Sequence, residues 1–258
     1  MTDAESNLVR RNAWGQPIGP DVPGWIVPPR PNRASIAGGY CRLEPLDWER
    51  HRADLWQAWS AGDSASDAAW TYLPYGPFPT ESHLADWIRT NAAGSDPLFM
   101  AVIDLKTGRA AGWVSWMRIT PDAGTIEIGH IVFSPLLQRQ TAATEALYLL
   151  IREAFQLGYR RVEWKCDALN APSRAAALRL GFQFEGIFRQ ALVYRGRNRD
   201  TAWFSIIDSE WPALESAFLT WLNPANFTPA GIQLRRLADL NQHMGEARPT
   251  LKGESVGS

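Results

Sequence analysis

Cysteine and histidine are scarce in this chain. Among 258 residues there are two cysteines, Cys41 and Cys166, and four histidines. The cysteines lie far apart and fit no metal-ligand spacing. His51, His83, His130 and His243 form no H-x-x-x-H pair, so no metal site is expected. Two isolated thiols read as reduced, buried residues of a cytoplasmic protein. An excess of one charge is also missing: 26 Lys and Arg stand against 27 Asp and Glu, for a net charge of -1. That balance excludes a global pull toward nucleic acid or an anionic membrane, while local basic clusters remain free to hold a small anion. Long apolar runs are absent. Ala146 to Ile151 is far too short to span a bilayer. The polar start, with Thr2, Asp3 and Glu5, lacks the apolar segment of a secretory signal. The expectation is a soluble cytoplasmic protein, monomer or homodimer, with neither nucleic acid nor membrane as partner.

What is present is an ordinary globular composition, 45% hydrophobic and 21% charged, with 13 tryptophans. The length suits one large or two small domains. Residues 1–35 read as a proline-rich extended arm, with Pro17, Pro20, Pro23, Pro28, Pro29 and Pro31 excluding regular helix. Trp14, Trp25 and Ile26 suggest that this arm packs on the body. Residues 36–222 read as one mixed domain. Residues 223–258 form a tail, with a short helix expected over Leu234 to Leu240 and disorder from Lys252 to Ser258.

Within the domain, Tyr40 to Leu46 alternates like a strand. Asp47 and Thr80 are placed to open helices. Leu98–Leu105 and Ala111–Ile119 read as a hairpin, followed by a strand over Thr125–Phe133. Ala143, Leu147, Leu150, Ile151 and Ala154 then recur at helical spacing. Arg161–Asp167 is a strand with Val162, Trp164 and Cys166 on one face. Pro172 opens an Ala-rich helix that stops at Gly181. Phe182–Arg189 and Thr201–Ile207 are strands around a turn at Gly196, and Trp211-Pro212 begins a last helix. The fold class expected is α/β (α+β): a mixed, mostly antiparallel sheet flanked by helices.

The segment from Ser134 to Ala143 turns from a strand into a long helix. Amides at such a helix start, with the helix dipole, favour a phosphate. Arg139 adds a charge-assisted contact, and Ala142 and Ala143 permit close approach. The competing reading is an ordinary turn capped by Thr141.

Gln138, Arg139, Gln140, Thr141, Ala142 and Ala143 resemble motif A of the GNAT N-acetyltransferase superfamily, with Thr141 in place of a glycine. Asn170-Ala-Pro-Ser173 followed by Gly181-Phe182, with Glu127-Ile-Gly-His130 and Glu185-Gly186, is similar to the RimJ/RimL-type branch. The resemblance covers about residues 36 to 220. It implies that acetyl-CoA, as cosubstrate, lies in a gap between parallel strands Thr125–Phe133 and Arg161–Asp167 that splay apart. Main-chain groups of Ile131 and Phe133 would hold the pantetheine. Gln138, Arg139, Thr141, Ala142 and Ala143 would bind the pyrophosphate, and Asn170 and Ser173 would face the cofactor.

The implied reaction is direct attack of an amine on the thioester, with a backbone N–H near His130 or Ile131 polarising the carbonyl. Ser173 is a candidate donor to the departing sulfur, or a helix cap. For the base, Glu127 comes first, with Asp200 second and His83 more remote; Asp200 equally reads as an ion-pair partner of Arg197 or Arg199 in the hairpin. The branch carries a Glu where this chain has Arg189-Gln-Ala-Leu-Val-Tyr194, so that role does not carry over. Trp70, Tyr75, Phe78, Trp113, Trp116 and Tyr194 are candidates for an acceptor wall suited to an aromatic or cationic amine or a peptide N-terminus, or else for plain core. The expected function is acetylation of a small-molecule amine or a protein N-terminus. The alternative is a non-catalytic acyl-CoA-binding or sensing protein.

Overall fold

The structure is a computed structural model that describes residues 10–60 and 64–241. Eight strands form one sheet: β1 (Ile36–Ala37), β2 (Cys41–Pro45), β3 (Leu98–Asp104), β4 (Arg109–Thr120), β5 (Thr125–Phe133), β6 (Arg161–Asp167), β7 (Gln183–Tyr194) and β8 (Arg197–Ile207). They lie in the order β1-β2-β3-β4-β5-β6-β8-β7. Neighbours run antiparallel except β5 and β6, which are parallel. The helices are α1 (Trp48–Ser60), α2 (Glu81–Asn91), α3 (Thr141–Gln156), α4 (Ala171–Arg179), α5 (Trp211–Leu222) and the single turn α6 (Leu237–Leu240). The mixed, mostly antiparallel architecture expected from the sequence is present. No helix of the described residues is long and apolar enough to cross a membrane.

Strand alternation divides the core in two. On β6, Val162, Trp164 and Cys166 enter the main cluster beneath α3, while Arg161, Glu163, Lys165 and Asp167 occupy the opposite face. On β4, Trp113 and Trp116 are three residues apart and therefore point to opposite sides. Trp113 joins the cluster that also holds Leu55 of α1 and Ile88 of α2, whereas Trp116 packs among the α3 residues and donates its indole N–H to the Leu150 carbonyl at 3.2 Å.

Helix α3 is buried along its whole first half, from Ala142 to Ile151. It carries one carboxylate into that core. Glu145 accepts three backbone hydrogen bonds, from Gly39 (2.7 Å), Tyr40 (2.6 Å) and Cys41 (2.7 Å). This charged anchor fixes the start of β2 to the helix, because N–H groups bonded to a buried carboxylate are costly to strand. A Cβ at Gly38 would collide with that carboxylate, so the approach depends on glycine.

Several sequence expectations change. The final hairpin is longer than Phe182–Arg189 and Thr201–Ile207, because β7 continues through a bulge at Gln190 (φ 48) as far as Tyr194. Both faces of that stretch are polar or exposed, so alternation could not mark it. The arm is tied down by Arg30, which donates to the Ile119 carbonyl at 3.0 Å and pairs with Asp96, and by Arg33 on the Ala92 carbonyl. Trp14 and Ile26 stand in solvent instead. Residues 223–241 are built into the body. Buried Asn226 bonds Trp221 and Arg235 through backbone groups, and Asn241 donates to the Arg179 carbonyl. The helix expected over Leu234–Leu240 shortens to α6. The disorder expected from Lys252 to Ser258 lies outside the described residues, as does His243.

Candidate active site

Strands β5 and β6 pair over only three positions, Thr125 with Arg161, Ile126 with Val162, and Glu127 with Glu163. Beyond Glu127 they part. The β5 segment from Ile128 to Phe133 keeps β4 on its other side, and a one-residue bulge at His130 (φ 47) bends it away. Such bulges re-aim strands next to functional sites. The gap opens into a groove of about 1270 Å³ that runs between α3, α4, the final hairpin and the loop over residues 69–74.

One end of the groove fits phosphates. The loop Ser134–Gln140 leads into α3, whose N-cap Gln140 makes no side-chain cap hydrogen bond. Thr141 therefore does not cap the helix; it is its first residue, in right-handed backbone. Arg139 (φ 62) takes the left-handed turn in its place, so the missing motif glycine creates no strain at Thr141. Arg139, Arg179 and Arg236 line this end, and the carboxylates among the groove residues, Glu127 and Asp167, both sit on the parted strands. Uncapped helix amides, guanidinium groups and the small Ala143 fit the pyrophosphate and nucleotide end of coenzyme A. Ala142 faces a separate cavity on the other side of the loop. Gln138 donates to the Phe133 carbonyl at 2.8 Å and so closes the loop on the strand.

Glu127 lies at the fork. Its carboxylate is 98% buried, receives both oxygens' contacts from Arg118 at 2.8 Å, and sits 3.0 Å from Lys165 Nζ. Lys165 in turn lies 2.6 Å from Glu163 and stacks on the Trp203 ring at 3.7 Å. Arg161 continues the series to Glu163 and Glu185. The result is a row of alternating charges across β4, β5, β6 and β7. Burial pushes the Glu127 carboxyl up, and Lys165 and Arg118 pull against that rise. An ionised carboxylate with a lone pair left free can accept a proton.

Ser173 faces the groove from the first turn of α4. Asn170 caps that helix, its side chain accepting from the Ser173 N–H at 3.1 Å. The Ser173 Oγ accepts from the Trp164 indole at 3.0 Å. The same hydroxyl also bonds the Cys166 thiol. His130 is held differently. Trp113 Nε1 can only donate, and does so to the Tyr75 hydroxyl at 3.3 Å. The Tyr75 hydroxyl lies 3.1 Å from His130 Nδ1 and shares a hydrogen bond with it. Burial and Arg118 lower the His130 pKa to about 4, so the ring is neutral.

The groove gathers Glu127, His130, Ile131, Phe133, Gln138, Arg139, Thr141, Ala143, Asn170, Ser173 and Tyr194. Other expected residues stay out. Asp200 accepts from the Gln190 N–H at 2.7 Å and the Asn198 amide at 3.0 Å, which holds the β7 bulge. It serves the hairpin through these groups, without an ion pair to Arg197 or Arg199, and does not reach the groove. His83 caps nothing but its own turn, 2.7 Å from the Thr80 hydroxyl. The aromatic wall is also corrected. Trp70, Tyr75, Phe78 and Trp113 stack on one another and on Trp87 as a second core, and Trp116 is on the far side of the sheet. Tyr72, Leu73 and Pro74 present this loop to the groove instead, facing Leu192 and Tyr194. Sequence reasoning missed Arg118 and Lys165. The alternation Arg161, Glu163, Lys165, Asp167 already places those β6 charges on one face.

Fold and groove together define an acetyltransferase-type α/β protein. Residues 41–183, more than half of the chain, match the family described as an acetyltransferase (GNAT) domain, and the chain belongs to that family. Among solved structures it is similar to a GCN5-related N-acetyltransferase from Brucella melitensis, with 46% identity, 86% of this chain and 100% of that one covered, and a TM-score of 0.82. It is also similar to a probable GNAT-family acetyltransferase from Chromobacterium violaceum ATCC 12472, with 45% identity, 77% and 98% coverage, and a TM-score of 0.70. The ribosomal L7/L12 α-N-protein acetyltransferase RimL shares the fold at 22% identity, 67% and 94% coverage, and a TM-score of 0.56. No curated protein matches significantly.

Proposed function

We propose that this chain is an acetyl-CoA-dependent N-acetyltransferase of the RimJ/RimL-type branch, acting on a primary amine by direct attack in a ternary complex. The observation that carries this reading is the fork after Glu127. There a buried carboxylate, a forward-facing hydroxyl and an uncapped helix start open into one groove. Bound acetyl-CoA supplies a thioester that an amine can attack. Glu127 receives the amine proton, directly or through one water, on the lone pairs that Arg118 and Lys165 leave free. Ser173 donates from Oγ toward the sulfur as it departs. His130 and Tyr75 stay neutral and hold the β5 bulge in place. The branch assignment is supported by the Asn170–Ser173 and Gly181–Phe182 motifs.

The test combines two measurements on the full chain. Acetyl-CoA should raise the melting temperature, and further with each increase in its concentration. A panel of primary amines should release free thiol at rates that depend on the amine. Stabilisation without thiol release on any amine would point to the non-catalytic binding protein instead.

A further inference from the structure

Three arginines crowd the tip of the β7–β8 hairpin, and two of them hydrogen-bond backbone carbonyls. Arg195 donates to the carbonyls of Trp70 and Gly76, and Arg197 donates to that of Thr71 at 2.8 Å. These contacts clasp the 70–76 loop onto the hairpin and close that side of the groove. Arg199 is the exception. It lines the groove and is half-buried, its Nε is shielded from solvent, and no described residue accepts a hydrogen bond from it or forms an ion pair with it. Its guanidinium rests near the Tyr194 ring, 5.9 Å from the centroid. A guanidinium carries five N–H donors, and a half-buried one with none matched is unusual.

Among the described residues of the groove, no carboxylate is left to pair with it. Of the two groove carboxylates, Glu127 is shared between Arg118 and Lys165. Asp167 accepts from the Leu169 N–H and from the Tyr194 hydroxyl, each at 2.9 Å. Arg199 nevertheless lines the same groove as Glu127, Ser173 and Tyr194. The groove thus presents one carboxylate placed to meet an amine and one unmatched guanidinium placed to meet an anion.

We infer that the acceptor is an amine that also bears a free carboxylate, such as an amino acid or a short peptide, and that Arg199 is the residue that binds this carboxylate. This rests on the N-acetyltransferase reading above. A planar carboxylate matches the guanidinium fork in two parallel hydrogen bonds, which a lysine cannot reproduce. Arg199 acts as a specificity-determining residue: it selects and orients the acceptor and takes no part in proton transfer.

The experiment is acetylation of free L-amino acids and of the matched L-amino acid amides, followed by thiol release, with wild type, Arg199→Gln and Arg199→Lys. In wild type, kcat/KM for the carboxylates should exceed that for the amides by about tenfold or more. Arg199→Gln should raise KM for the carboxylates by about 10- to 100-fold with kcat within a few-fold, and leave the amides unchanged. Arg199→Lys should restore part of the preference. Equal turnover of acids and amides by wild type overturns the inference and leaves the acetyltransferase standing, as does an equal loss on both series in Arg199→Gln. Because the wild-type comparison needs no variant, misfolding of Arg199→Gln does not protect the idea. If acetyl-CoA stabilises the protein but no amine releases thiol, the underlying reading fails and this inference falls with it.

Discussion

Lys165 Nζ lies 3.0 Å from Oε2 of Glu127 and joins β6 to β5 where the two strands begin to separate. The pair does two things at once. It closes the sheet at the fork, and it opposes the rise that burial imposes on the Glu127 carboxyl.

The first prediction concerns that opposition. As the proton acceptor, Glu127 must be ionised, so kcat/KM should fall as pH drops through its raised pKa. Removing Lys165 withdraws a stabilising cation and should move this acid limb to higher pH. A pH–rate profile of Lys165→Met against wild type measures the shift. Glu127→Gln should lower kcat by about 100-fold or more. A limb that stays put in Lys165→Met would remove Glu127 from the role of base.

Ser173→Ala should separate chemistry from binding. The Asn170 cap uses the backbone N–H of residue 173, so α4 should persist. We expect kcat to fall about 10- to 100-fold while the affinity for acetyl-CoA, read by calorimetry, changes little. Loss of affinity with kcat preserved would make Ser173 a binding residue only.

A structural prediction tests Glu145. Glu145→Ala removes the acceptor from the N–H groups of Gly39, Tyr40 and buried Cys41. The cost should be about 3 kcal/mol or more, seen as a lower denaturant midpoint. Glu145→Gln retains one acceptor oxygen and should lose less.

Acid stability should report on His130. Its folded pKa of about 4 lies below the ordinary histidine value of 6.5, so the unfolded chain binds the extra proton first. The stability this residue contributes is complete above about pH 6.5. It should decline as pH falls from there toward 4. His130→Phe should flatten that part of the curve in chemical denaturation at stepped pH. An unchanged slope would mean that the ring is solvated in the folded state.

Much of the fold was legible in the sequence because local chemistry marks it. Period-two alternation drew β2 and β6. Thr80 announced a helix start, and Pro172 with Gly181 bounded α4. The strand-to-helix turn before α3 was legible for the same reason, because it is a local object. The acceptor side was not. Trp70, Tyr75, Phe78 and Trp113 look the same in sequence whether they wall a pocket or stack into a second core, and only their mutual packing decides. Even so, the spacing of three between Trp113 and Trp116 already forbade a shared face.

The sequence alone thus determined the family and the order of elements, since each depends on neighbours a few positions away. Tertiary structure decided which charges meet. It brought Arg118, Glu127 and Lys165 together from three strands, turned Asp200 to the hairpin bulge, and left the Arg199 Nε beside the groove without a hydrogen-bond partner among the described residues. Those outcomes depend on strand register and on where β5 and β6 part, and both are set by the packing of the whole sheet.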